Sequence, residues 1–171
     1  MVDAYNFLAS WQLFPEKGTY EFGNRPKSGI FRIELAGTGK QLSISMNWVS
    51  LEDQAFSSQY VVAPDGTEYD FDNQEIGDTV KSEFINSLVF QTVFSKNKRP
   101  SLEVSHEITP KGYLKVTHHH YNEAGEKFTN EEIYHKQLSV LPYSASVSGA
   151  VIKPNEAGVI RHQGLSAMEE Q

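Results

Sequence analysis

The side chains that could do chemistry together in this sequence are few: His106, the run His118-His119-His120, Asn130 and Glu132. Imidazole takes up and releases protons near neutral pH and ligates borderline metal ions, so its company decides its use. On a strand, residues two apart share a face, which puts His118 and His120 side by side and turns His119 away. With His106 and Glu132 on adjacent strands, His106, His118 and Glu132 could offer three nitrogen or oxygen ligands to zinc or a similar ion. His106 beside Glu132 could instead act as a general-base pair. Haem iron could take a histidine as ligand, with His118, His120, His135 and His162 as candidates and no motif to single one out. The remaining use is non-covalent: His106, His118, His120, Asn130 and Glu132 as the polar group of an enclosed site, bonded to a ligand or satisfied by one another and by water. No HExxH, GxSxG or glycine-rich phosphate loop is present, and no nucleophile with a distinctive setting accompanies the histidines. The sequence therefore assigns no cofactor, no metal and no catalytic residue, and favours a binding protein over an enzyme.

Such a group meets only if the chain brings its segments together as strands, and period-two alternation dominates the sequence. Leu42, Ile44, Met46 and Trp48 alternate with Ser43, Ser45 and Asn47, the pattern of a strand with one buried face. Phe31, Ile33 and Leu35 do the same before it, and a Gly37-Thr38-Gly39 connection sets Leu35 against Leu42, Ile33 against Ile44 and Phe31 against Met46. Three further turns put glycine third in a short loop, where a left-handed residue is needed: Pro64-Asp65-Gly66, Pro110-Lys111-Gly112 and Glu123-Ala124-Gly125. If the last two close three-residue hairpins, four rows share a face: Leu102/His120/Phe128, Val104/His118/Asn130, His106/Val116/Glu132 and Ile108/Leu114/Tyr134. This face is the more apolar, so it points inward. Same-face neighbours then lie roughly 5–8 Å apart, within side-chain reach.

Extending the pattern gives about ten strands, near residues 8–13, 28–36, 40–49, 56–63, 67–72, 79–86, 88–95, 101–109, 113–121 and 126–137. Many short strands joined by hairpin turns predict an all-β fold, and a meander of this kind is most easily satisfied as an antiparallel up-and-down barrel. From residue 138 the pattern changes to a Ser-, Ala- and Gly-rich extension. Val147, Gly149 and Val151 could add a short strand there, and residues 164–171 a short helix. The expected division is a barrel over 1–137 and an extension over 138–171, packed on the barrel or on a second copy of the chain.

The 171 residues are 39% hydrophobic and 12% aromatic, enough for one sizeable core, and carry a net charge of −7. An acidic balance disfavours nucleic acid, which is held mainly through clustered Lys and Arg. Lys96, Lys98 and Arg99 form the one basic cluster and read as a solvated hairpin loop. The absence of cysteine excludes disulfides, thiolate metal sites and cysteine nucleophiles. No apolar run approaches the ~18 residues of a membrane helix, so the expected location is cytoplasmic, without membrane insertion.

The start Phe7-Leu8-Ala9-Ser10-Trp11-Gln12-Leu13 resembles the first strand of lipocalins and fatty-acid-binding proteins, with Ala9 where that pattern has glycine. Glu16-Lys17-Gly18-Thr19-Tyr20, Pro26-Lys27-Ser28-Gly29, Asp65-Gly66-Thr67-Glu68-Tyr69 and Gly125-Glu126-Lys127-Phe128-Thr129-Asn130 with Ile133-Tyr134 resemble a group of small bacterial lipocalin-like proteins. The resemblance covers residues 7–137. It implies a calycin-type barrel with Trp11 as core at the closed end, and a small hydrophobic molecule as partner. On this reading Phe31, Met46, Trp48, Phe90, Val104, Val116, Phe128 and Tyr134 are the apolar lining of the site. Arg32, a residue type that can hold a ligand carboxylate, falls on the outward phase.

Overall fold

Alternation becomes architecture in the computed structural model, which describes residues 2–138, without the side chains of Val2 and Asp3. The calls on the extension, including its strand, helix, association role and His162, lie outside the described residues. After a 3₁₀ turn at Val2–Asn6 come β1 (Ala9–Leu13), a second 3₁₀ turn at Pro15–Lys17 and the two-residue β2 (Thr19–Tyr20). Nine longer strands follow: β3 (Ser28–Ala36), β4 (Gln41–Val49), β5 (Ala55–Val62), β6 (Asp65–Asn73), β7 (Gly77–Asn86), β8 (Val89–Lys96), β9 (Arg99–Ile108), β10 (Leu114–Tyr121) and β11 (Lys127–Lys136). They form one antiparallel sheet in the order β5-β4-β3-β1-β11-β10-β9-β8-β7-β6, with β2 added to β11. The sheet curls on itself into a lipocalin-like half-barrel. Among the described residues no helix is long and apolar enough to cross a membrane.

The turns act as their chemistry requires. Gly112 and Gly125 have φ near +80° and close the loops that the meander β9–β10–β11 needs. The Thr109 amide donates to the Tyr113 carbonyl at 2.8 Å and that of Asn122 to Glu126 at 3.1 Å. The resulting register pairs Val104 with His118 and His118 with Asn130, and His106 with Val116 and Val116 with Glu132. Asn97 and Lys98, both at positive φ, make the two-residue turn between β8 and β9, and the basic cluster sits there.

The third glycine turn behaves differently. Residues 63–67 do not close a hairpin: β5 and β6 end the sheet at its two edges and are not hydrogen-bonded to each other. The Asp65 amide turns back to the Ala63 carbonyl at 2.9 Å. Gly66, at φ +79°, falls where the β6–β7 register shifts between Asp65 and Glu68. The left-handed residue thus serves a bulge that bends β6 away from β5. Side chains span the seam instead: Phe94 on β8 meets Tyr60 of β5 edge-on at 5.2 Å and Phe71 of β6 at 5.0 Å.

One half of the interior is solid. The N-terminal turn carries Phe7 across the end, against Phe90 at 4.9 Å and Phe84 at 6.1 Å, and Asn6 ties that turn to the Ser87 carbonyl. Trp11 is buried beside it, its indole Nε1 donating to the Phe7 carbonyl at 2.9 Å. Phe31, Ile33, Leu42, Ile44, Leu114 and Val116 complete this core. Phe31→Ala is expected to lower the unfolding free energy by about 3–5 kcal/mol in urea titrations, whereas Phe56→Ala, at an exposed position, changes it by less than about 1 kcal/mol.

Candidate functional site

Beyond the Phe31–Phe90 layer the interior is not filled. A cavity of about 270 Å³ opens between β3, β4 and β5 on one side and β9, β10 and β11 on the other. Met46, Trp48 and Tyr60 form an apolar wall on the first side; on the second, Leu102 and Val104 stand beside their cross-strand partners His120 and His118, and Tyr20, Asn130, Glu132 and Tyr134 complete a polar cluster there. The segment after β2 contributes Asn24 and Pro26 to its rim.

Glu132 is the centre of the polar wall. Its Oε2 accepts from the Tyr20 hydroxyl at 2.9 Å, Tyr134 stands near it on the cavity lining, and its Oε1 lies 3.6 Å from His118 Nδ1. Both members of that last pair are nearly enclosed, at 12% and 14% exposure. Burial raises the Glu132 carboxyl above the ordinary glutamate range, against the pull of the two phenols. The same burial, with His120 and His119 adding repulsion, lowers His118 to about 4. Both shifts favour the neutral pair, so 3.6 Å is a contact between groups that avoid charge rather than a salt bridge. His120 is lowered as well, by burial and then by His119, and its ring stacks on Phe22 at 4.9 Å. Tyr20 and Tyr134 are raised, chiefly by burial. Among the described residues, neither lysine nor arginine stands on the wall.

Asn130 points into this group but its amide is occupied. The side-chain oxygen accepts from the Glu21 and Phe22 amides at 2.9 and 3.0 Å, and the nitrogen donates to the Phe22 carbonyl at 2.9 Å. Three of its four hydrogen bonds thus hold the segment after β2 in place. Asn130 lines the cavity as expected and also clips its rim.

His106 is a correction. It is fully buried and belongs to the solid layer, stacked on Phe90 at 4.0 Å and 8° and beside Phe31 at 5.5 Å. Neither ring nitrogen has a partner, and burial lowers its pKa to about 3. Val116 stands between it and Glu132 in the row, so the pair His106–Glu132 does not form. The set His106, His118, Glu132 does not converge either, and among the described residues no three His, Asp or Glu side chains could hold a metal ion.

Of the expected apolar lining, Met46, Trp48, Val104 and Tyr134 face the cavity, while Phe31, Phe90, Val116 and Phe128 do not. The first three of these pack in the core below it, where the strand phase is right but the depth is not. Phe128 lies against Phe22 at 6.3 Å. His119 bonds Thr129 on the outer face at 2.9 Å, His135 packs on Phe14, and Arg32 donates to Ser10. The strand pattern also held residues that the reading passed over. Phe94 and Leu102 are cross-strand partners on the inward face, and Tyr60 pairs with Ile44.

No protein-family model matches the chain, and no curated protein does. Solved structures similar to it include a siderocalin, a redesigned β-barrel and a lipocalin. The siderocalin Ex-FABP, described as functioning through dual ligand specificities, is 11% identical over 95% of this chain and 83% of its own, with a TM-score of 0.40. A redesigned β-barrel is 10% identical over 80% and 96%, also at 0.40. A lipocalin whose expression the myc oncogene activates is 11% identical over 92% and 76%, at 0.34. At these identities and scores nothing about ligand or chemistry passes from them to this chain.

The buried imidazoles have a measurable consequence. His106 and His118 titrate near 6.5 when unfolded and at about 3 and about 4 in the fold. The unfolded chain therefore binds more protons between those values. Their contribution to stability is complete above about pH 6.5 and is lost as pH falls through the two depressed pKa values. His106→Phe removes the unpartnered ring nitrogens from an aromatic stack. It is expected to raise the unfolding free energy at pH 7 by about 1 kcal/mol and to make its decline on acidification shallower, both read from urea titrations across pH.

Proposed function

We propose that the chain binds a small, mainly apolar molecule with one polar end, non-covalently, inside the half-barrel. The observation that carries this reading is the lining of the cavity: apolar and aromatic side chains over most of it, with hydrogen-bonding groups clustered around Glu132. Apolar area supplies affinity at about 25 cal/mol per Å² removed from water, and a few convergent polar groups orient the ligand. His118, His120 and Glu132 are the polar contacts, with Tyr20 and Tyr134 beside them; Met46, Trp48, Val104 and Tyr134 are the apolar ones. A dry cavity of roughly 150 Å³ accepts benzene, so the 270 Å³ here suits a bicyclic molecule.

The size sets the probes. At a free concentration of a hundred times Kd, a ligand that binds only the folded state adds about 2.7 kcal/mol, a shift of several degrees in Tm. At least one of 2-naphthol, tryptophol and tryptamine is expected to raise Tm in this way. Leu102→Trp, which fills the cavity from its wall, is expected to abolish the shift while the far-ultraviolet circular dichroism stays unchanged. A wild-type Tm indifferent to all three probes overturns the reading.

A further inference from the structure

The wall's charge inventory says which polar end the site accepts. Its ionisable groups are Glu132, His118, His120 and the phenols of Tyr20, Tyr60 and Tyr134. A ligand carboxylate entering this cavity would be desolvated beside Glu132. Among the described residues the cation near it, Arg25, whose field reaches Tyr20, is exposed on the segment after β2 rather than on the wall; an anion buried without a partner is strongly disfavoured.

We infer that the ligand's polar end is a protonated amine, held by the Glu132 carboxylate, so that the site takes a bicyclic aromatic monoamine in preference to an alcohol or an acid of the same size. This rests on the binding reading above and specifies it. The Glu132 carboxylate has about four acceptor positions; the Tyr20 hydroxyl takes one and orients it, which leaves acceptors for an ammonium group. That phenol holds Glu132 without bringing positive charge. His118, whose pKa is depressed by burial, is neutral at physiological pH and can accept a hydrogen bond, which an imidazolium could not. Empty, the buried carboxyl is biased toward its protonated form; an arriving ammonium supplies the missing counter-charge and draws the proton off to solvent.

The test is isothermal titration of the full-length protein with tryptamine, tryptophol and indole-3-acetate, which share one ring system and differ in head charge. Tryptamine is expected to bind at least about tenfold more tightly than tryptophol, the margin of a hydrogen bond to a charged group, and indole-3-acetate more weakly than either. Glu132→Gln keeps an acceptor for the Tyr20 hydroxyl and is expected to cost tryptamine its advantage, lowering tryptamine affinity more than tryptophol affinity. On the unmutated protein, tryptamine affinity is expected to fall on acidification, at pH values kept above the His118 pKa of about 4, as the Glu132 carboxyl, raised by burial, takes up its proton, while tryptophol affinity stays level. Tryptophol or indole-3-acetate binding as tightly as tryptamine, or an unchanged tryptamine affinity in Glu132→Gln, overturns the amine assignment and leaves the binding reading standing. Failure of all three to bind overturns the amine assignment, and removes the binding reading as well where 2-naphthol also leaves Tm unchanged.

Discussion

Two glycine turns hold the phase of the interior. Gly112 and Gly125 occupy left-handed positions that a side chain reaches only under strain, and each fixes a hairpin register with no spare residue. Because strand side chains alternate with period two, a slip of one residue in either hairpin would send Val116, His118 and His120, or Asn130, Glu132 and Tyr134, to the outer face. The outer partners would then move in: Lys115, Thr117 and His119, or Glu131 and Ile133. No apolar face as continuous as the observed one exists in that alternative. The cavity, its polar wall and the core beneath it therefore all descend from the same two turns.

Within that register, depth separates two kinds of buried histidine. His106 and His118 lie on the same inward face of neighbouring strands, and both are pushed toward neutrality by burial. His106 is a row nearer the Phe7 end and is gripped between aromatic rings, where an imidazole without hydrogen bonds acts as a slightly polar phenyl group. An unpaired buried donor costs stability, and nothing in its surroundings offsets that. His118 is one row further out, where side chains no longer meet across the half-barrel and the ring adjoins Glu132. The same residue type is a packing element in one row and a wall of the binding site in the next.

Much of this was legible in the sequence, because it depends on alternation and turn chemistry, which are local. The strand set, the β3–β4 pairs such as Phe31 with Met46, and all four rows of the β9–β11 meander follow from residue order alone. What was illegible depends on distance in the chain. β2 has two residues and no period to read; its place is set by pairing with β11 and by Asn130, whose side chain bonds backbone groups 108 and 109 residues away. Polarity on an inward face marked Asn130 correctly as a group needing partners, but not which partners. The Pro64-Asp65-Gly66 turn failed for a related reason: a left-handed glycine after Pro-Asp fits a hairpin and a bulge equally well, and only the sheet's closure distinguishes them. Strand phase, likewise, placed Phe31, Phe90 and Val116 inward without saying how far the core is filled.

The Asn130 clip joins parts of the molecule that would otherwise be independent. The segment it holds carries Tyr20 on one side, donating to Glu132, and Phe22 on the other, stacked on His120; Asn24 and Pro26, further along, form the cavity's rim. One side-chain amide thus fixes both the roof over the cavity and the hydrogen bond that orients its carboxyl. Displacing the segment would open the cavity and at the same time remove a phenol that favours the ionised form of Glu132. Access to the site and the charge at its centre are consequently coupled through a residue whose own bonds are nearly all spent on backbone.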